Sequence, residues 1–264
     1  MLRRAGVVAA VVLALSSLAA IGASRVAGST AANAFDMNAS LSLVSQLGGC
    51  EPTGTATDCS SRTVSGPFPG LGSVNASYSF LLAVGPPLCP SNLGKALAYR
   101  IHLEVAGKGA IDVAVSEAPE CIDPEAVRTQ TQAFTVTGGT GVYAGASGSG
   151  TLERVLGNPV ADGRHGRETW KGTLTAPGVD FDLVAPKLLG ATSRTVVVPR
   201  RANSVRMRFA VTAADDVDGQ IPVTCMPTSG SRFPIGRTPV KCSAADTSAN
   251  SSTASFSVTV RRRR

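Results

Sequence analysis

Apolar and polar residues alternate with a period of two along most of this chain. Tyr78, Phe80, Leu82 and Val84 occupy alternate positions; Ile101, Leu103 and Val105 alternate with Arg100, His102 and Glu104. Ile111, Val113 and Val115 continue the pattern, as do Phe134 and Val136, then Trp170, Gly172 and Leu174, with Phe181 and Leu183 ending the set. Successive strand residues point to opposite faces, so this alternation predicts strands with one buried and one wet face. A sustained 3.6-residue period is missing, and a helical turn is expected only near residues 123–127. Residues 187–193 interrupt the alternation and mark a boundary. Beyond it come strands at 195–198, 205–209, 221–225, 238–244 and 254–260. Here Val205, Met207 and Phe209 alternate with Arg206 and Arg208. The expected class is all-β, with a β-barrel-like domain over 35–189 and a second β unit over 190–260.

Composition agrees. The chain has 264 residues, 28 of them Gly and 16 Pro, with only 5% aromatics. That balance favours short strands and many turns. The net charge of +7 is largely terminal: Arg3 and Arg4 lie in the leader, and Arg261, Arg262, Arg263 and Arg264 form a basic tail. The body from 24 to 189 carries more acid than base. A nucleic-acid binder gathers its charge into a patch with stacking aromatics, so nucleic acid is not an expected partner.

Residues 1–23 read as a signal peptide: two arginines, then an uncharged run rich in Val, Leu and Ala. Small residues place cleavage between Gly22 and Ala34, and 24–34 form a flexible linker. An uncleaved leader spanning the bilayer is the alternative, and the only expected link to a membrane. The six cysteines, none in the leader, imply disulfides in an oxidising compartment. Cys225 and Cys242 bracket a turn-rich segment and are expected to bridge two strands. Cys50 and Cys59, close in sequence, are the favoured local pair, leaving Cys89 with Cys121, although four cysteines permit three pairings. No C-x-x-C pair is present, so no metal site or cofactor is expected.

Residues 190–260 resemble the hyalin repeat, or HYR module. The resemblance rests on Asp215 and Gly219; on Val223, Cys225, Pro227, Ser229, Gly230 and Ser231; on Phe233, Pro234, Gly236, Thr238, Val240 and Cys242; and on Ala244, Asp246, Phe256, Val258 and Val260. It implies an immunoglobulin-like sandwich in an extracellular module associated with adhesion. One departure is Ala249, which precedes Asn250 where the family has Gly.

The run from Phe134 to Leu152 contains Gly139-Thr140-Gly141 and then Ala144, a match to G-x-G-x-x-A. A dinucleotide fold would follow it with a helix, but Gly145, Ser147, Gly148 and Gly150 lead into a new strand instead. The same run resembles the strand–turn–strand signature of allene oxide cyclase and dirigent-type barrels. That resemblance implies a barrel and supplies no functional residues to carry over. The glycines themselves answer backbone needs: positive φ and close strand approach.

No catalytic constellation is expected. His102 lies on a polar strand face and His165 in a charged loop, both facing solvent. Asp215, Asp216 and Asp218 lack EF-hand spacing and read as a polar turn. The best site candidate is an anion-binding face made by Arg200, Arg201, Arg206 and Arg208 with the terminal arginines, since guanidinium forks suit carboxylate, phosphate and sulfate. Sequons stand at Asn38, Asn75 and Asn250, although the preference for Arg over Lys and for Ala and Gly suggests a GC-rich bacterial source. The expectation is therefore a secreted or cell-surface, non-enzymatic binding or adhesion protein. Its partners would be anionic wall polymer, glycan or another surface protein. The alternative is a barrel that binds or cyclises a small apolar ligand in the manner of allene oxide cyclase.

Overall fold

A computed structural model of the chain describes residues 35–124 and 129–264. The leader, the linker over 24–34 and most of the expected helical turn at 123–127 lie outside those residues. Among the described residues no helix is long and apolar enough to cross a membrane.

The alternating segments form β1 (Phe35–Leu47), β2 (Asp58–Phe68), β3 (Gly72–Val84), β4 (Gly94–Ala96), β5 (Tyr99–Val105), β6 (Gly109–Val115), β7 (Thr129–Gly139), β8 (Ser147–Val160) and β9 (Gly163–Thr175). They hydrogen-bond in the order β2-β1-β9-β8-β7-β6-β5-β3, with β4 as a short addition to β3. Antiparallel pairing of β2 with β3 closes the ring. The result is an eight-stranded antiparallel barrel. One face of every strand points into it, which is why alternate residues are buried: β3, for instance, buries Val74, Ala76, Tyr78, Phe80 and Leu82. Leu41, Val64, Leu103, Ile111, Phe134, Leu152 and Trp170 fill the interior, each at most 2% exposed. Burial of each such side chain contributes about 1.5–3 kcal/mol.

Gly150 and Gly172 show why small residues sit on β8 and β9. They face each other across the ladder. A Cβ on Gly150 would lie 2.1 Å from the Lys171 carbonyl oxygen, and one on Gly172 would lie 2.2 Å from that of Ser149. The space left bare admits Phe134, whose ring stands 5.2 Å from that of Trp170. After β7 the chain makes a single 3₁₀ turn at Gly141–Tyr143. No nucleotide-cradling helix follows. Gly141 has φ +61°, and a Cβ there would meet the Lys108 carbonyl oxygen at 2.3 Å.

The second unit contains β10 (Lys187–Leu189), β11 (Arg194–Val198), β12 (Ser204–Arg206), β13 (Thr212–Asp215), β14 (Gly219–Ile221), β15 (Thr224–Met226), β16 (Arg232–Pro234), β17 (Gly236–Ala245) and β18 (Ser251–Arg262). Its sheets run β11-β18-β17-β15, β10-β13-β14 and β12-β16. β11 lies parallel to β18. Phe209, Phe233, Val240, Cys242, Phe256, Val258 and Val260 form the core, and the Phe209 ring meets Phe256 edge-on at 5.0 Å. The unit is thus an all-β sandwich with a bridge from Cys225 to Cys242 on facing positions of β15 and β17.

Three expected strands differ. Phe181 and Leu183 lie in irregular chain, because Pro177 and Gly178 (φ +75°) turn the backbone out of the barrel after β9. Phe181 still stacks on Phe35 at 5.0 Å. The strand expected at 221–225 is split into β14 and β15 around Pro222, which has no N–H to give a ladder. The strand expected at 205–209 stops at Arg206 because the Ser229 hydroxyl takes both Phe209 backbone groups, accepting from N–H at 2.9 Å and donating to C=O at 2.6 Å.

The barrel and the second unit belong to one compact body. The Gly70 amide in the β2–β3 turn donates to the Ser248 carbonyl at 2.8 Å. Asn250 Nδ2 donates to the Asp182 carbonyl at 2.9 Å. The second unit therefore caps the barrel end formed by the β2–β3 and β5–β6 turns and the turn after β7.

Candidate functional site

The opposite end of the barrel carries the chemistry. There the inward positions of β2, β3, β7, β8 and β9 hold Arg62, Tyr78, Gln130, Gln132, Arg154 and Glu168, all buried. Arg154 Nε donates to Glu168 Oε2 at 2.7 Å, and its Nη1 donates to Gln132 Oε1 at 2.8 Å. Its Nη2 donates to the Tyr99 hydroxyl. The Tyr78 hydroxyl donates to the same Glu168 oxygen at 2.5 Å, and Gln132 passes the network to the Ser116 carbonyl at 2.6 Å. Tyr78 and Tyr99 stack at 5.2 Å, nearly parallel.

Burial pushes the Tyr78 phenol well above its ordinary range, and the Glu168 charge pushes the same way. For Arg154, burial pulls downward but Glu168 and Tyr78 more than offset it, so the net movement is up. Both groups therefore keep their ordinary protonation at neutral pH: a neutral phenol and a cationic guanidinium.

Arg62 differs. It is 5% exposed and lies flat over Phe80, with Cζ 3.5 Å from the ring centroid. Its Nε and Nη1 have no hydrogen-bond partner among the described residues. Burial lowers it to about 10 against the opposing pull of Tyr78, with the Arg154 charge adding to the fall. It remains cationic at neutral pH. Arg62 lines a cavity of about 80 Å³ together with Ser45, Ser60, Phe80, Leu82 and Leu156, and with Asp58 and Arg164. That volume holds several waters or a very small molecule. It is far below the ~300–1,000 Å³ of a site for a drug-sized ligand.

Two bridges frame this end. Cys50–Cys59 closes the β1–β2 loop, and Cys89–Cys121 ties the loop after β3 to the one after β6. Among the described residues no cysteine is free.

The arginines of the expected anion face are only partly gathered. Arg206 and Arg208 share one shallow depression with Thr228, Ser229, Gly230 and Ser231. Arg200 and Arg201 stand apart in the exposed turn between β11 and β12. Arg261 and Arg262 are the last residues of β18, where Arg262 Nη2 donates to Asn203 Oδ1 at 2.8 Å. The Arg263 amide donates to the Val198 carbonyl at 2.8 Å.

The histidines are exposed, and each has a carboxylate partner that the sequence did not reveal: Asp112 for His102 at 2.7 Å and Asp162 for His165 at 3.0 Å. Near the capped end, carboxylate oxygens of Asp182, Asp215 and Asp216 come within 4.8 Å of one another, as do those of Asp182, Asp218 and Asp246. Such spacing suits a hard cation. Turn amides use part of it: Asp215 accepts from Val217 and Asp218, and Asp218 accepts from Thr247. Those Thr247 hydrogen bonds hold Asp218 below the usual carboxylate range. Burial raises Asp182, and the charges of Asp246, Asp215 and Asp216 push it the same way. The Asn250 sequon is buried, its amide nitrogen bonded to Asp246 and to the Asp182 carbonyl.

The signal for the barrel cluster was present but unread. Arg154 is in phase with Leu152 and Leu156, Glu168 with Trp170, and Arg62 with Val64. A charged residue on the apolar phase of a strand must be paired or bound inside.

Residues 181–260 match the HYR domain family. No curated protein matches the chain, and no solved structure matches it. The eight-stranded barrel stands on its own geometry, without kinship to the cyclase or dirigent families being shown. An HYR domain suggests an extracellular adhesion-type module, and three disulfides are consistent with an extracellular protein.

Proposed function

We propose that this chain is an exported, non-enzymatic binding or adhesion protein of the cell exterior. In this reading the HYR sandwich docks an anionic wall polymer or glycan, or an acidic surface protein, through Arg206 and Arg208. The observation that carries it is the pairing of those two exposed guanidinium groups beside the hydroxyls of Thr228 and Ser231. Among the described residues neither arginine has a carboxylate within ion-pair distance. Guanidinium forks beside hydroxyl donors suit sulfate, phosphate and carboxylate groups on a chain. The barrel serves as the rigid body on which the sandwich is mounted. A cup for a larger apolar molecule has less support, because aromatic and aliphatic side chains occupy most of the interior.

The test is retention of the mature protein on an immobilised anionic polysaccharide at low and moderate salt. Retention that falls in Arg206→Gln/Arg208→Gln, and falls with salt as exposed charge pairs do, supports the reading. Retention equal to that of the unaltered protein overturns it. Glutamine replacement is preferred to deleting the tail, since Arg261 and Arg262 are built into β18.

A further inference from the structure

The barrel end away from the sandwich buries two arginines, Arg62 and Arg154, against one carboxylate, Glu168. Glu168 gives its Oε2 to Arg154 and Tyr78, while its Oε1 has no hydrogen-bond partner among the described residues. Among the described residues this buried cluster thus holds two guanidinium groups to one carboxylate, and Arg62 Nε and Nη1 have no hydrogen-bond partner. A bare charge out of water is costly unless paired. The cation–π contact with Phe80 satisfies the flat face of the guanidinium and none of its N–H groups. The cavity that Arg62 lines is bounded by Phe80, Leu82, Ile122, Pro124 and Leu156, with Ser45 and Ser60 also in its wall.

We propose that this cavity is a binding site for a small monocarboxylate, whose carboxylate pairs with Arg62 and whose short apolar tail lies against Leu82 and Leu156. One unit of negative charge balances the excess. A carboxylate oxygen can accept from Nε or from Nη1, the two nitrogens without a hydrogen-bond partner among the described residues. The small volume limits the tail to a few carbons, and the apolar wall disfavours an inorganic oxyanion. Arg164, which also lines the cavity, adds attraction, while Asp58 in the same wall opposes a second negative charge. The site is independent of the arginine face of the sandwich, so either can fail without the other.

The experiment is calorimetric titration of the mature, disulfide-intact protein at neutral pH with butyrate, with butyramide as the uncharged isostere and with inorganic phosphate. The expected result is saturable butyrate binding, no binding of butyramide, and phosphate weaker than butyrate. Arg62→Met is expected to weaken butyrate at least about tenfold, as loss of a charge-assisted hydrogen bond does. Equal binding of butyrate and butyramide, or no butyrate binding, overturns the proposal. So does phosphate binding as tightly as butyrate. If Arg62→Met does not fold, the comparison of butyrate with butyramide on the unaltered protein still decides the matter. Arg206→Gln/Arg208→Gln is expected to leave butyrate binding intact, and its loss there would contradict the assignment to the barrel.

Discussion

The two ends of the barrel are built from the same strands by the same alternation, yet they solve opposite problems. At the capped end Phe35, Phe68, Leu71 and Leu174 meet in a dry core, and Gly70 and Gly178 turn the chain tightly enough for the sandwich to dock. At the other end the inward positions are taken by Arg62, Tyr78, Arg154 and Glu168. Shape complementarity is enough at the first end. The second needs its buried charges satisfied, and among the described residues Arg62 Nε and Nη1, Arg164 Nε and Glu168 Oε1 have no hydrogen-bond partner. The lesson is that period-two patterning fixes which face is inside without fixing what chemistry the inside performs.

Removing one partner of the buried pair gives the largest effect. Glu168→Leu leaves two guanidinium groups buried without an anion and is expected to cost about 3–5 kcal/mol, read by urea unfolding. The double change Glu168→Leu/Arg154→Met is expected to cost less than Glu168→Leu alone. A double variant less stable than the single one would break the contrast, because it would mean the polar end is held by packing.

At the dry end, Leu103→Ala is expected to cost about 2–5 kcal/mol by opening a cavity. Replacing Cys89 and Cys121 by Ala frees a loop with a sequence separation of 32 and is expected to cost about 2–4 kcal/mol. A loss confined to the polar end in hydrogen exchange would sharpen the comparison.

The alternating strands, the HYR resemblance and the spacing that favours Cys50 with Cys59 were all legible in the sequence, because each is local or carried by a motif. The pairing of β1 with β9, which joins the two ends of the domain and is needed to close the barrel, was not, since register between strands far apart in sequence leaves no local mark. The site was half legible. Glu168 ends the run from Asp162 through Glu168, which reads as a charged loop, yet β9 begins at Gly163 and carries Glu168 inward two residues before Trp170. Arg206 and Arg208 line one depression, as their alternation with Val205, Met207 and Phe209 leads one to expect. Arg200 and Arg201 lie in the exposed turn between β11 and β12.

Smaller effects belong to the junction between the units. Ala249 has φ +63°, a conformation that costs a residue with a Cβ about 1–2 kcal/mol. Ala249→Gly is expected to raise stability by about 0.5–1 kcal/mol after the greater freedom of Gly in the unfolded chain is counted. Asp182 is held above its ordinary value, so its charged form opposes folding. That opposition is fully present above its folded pKa and vanishes as pH falls below the ordinary carboxylate value. Asp182→Asn is therefore expected to raise the Tm slightly at pH 7, with the gain disappearing at pH 3. A gain that stays constant with pH would show that charge is not its source.

The barrel interior is filled by aromatic and aliphatic side chains around its middle, and the Arg62 cavity lies at one end. Trp170 is the single tryptophan, 0% exposed, between Phe68 and Phe134. Its fluorescence in the native protein, with acrylamide as quencher, reports that region alone. The account predicts a blue-shifted emission that acrylamide leaves nearly unquenched until the protein unfolds. A red-shifted, readily quenched emission from folded protein would contradict it.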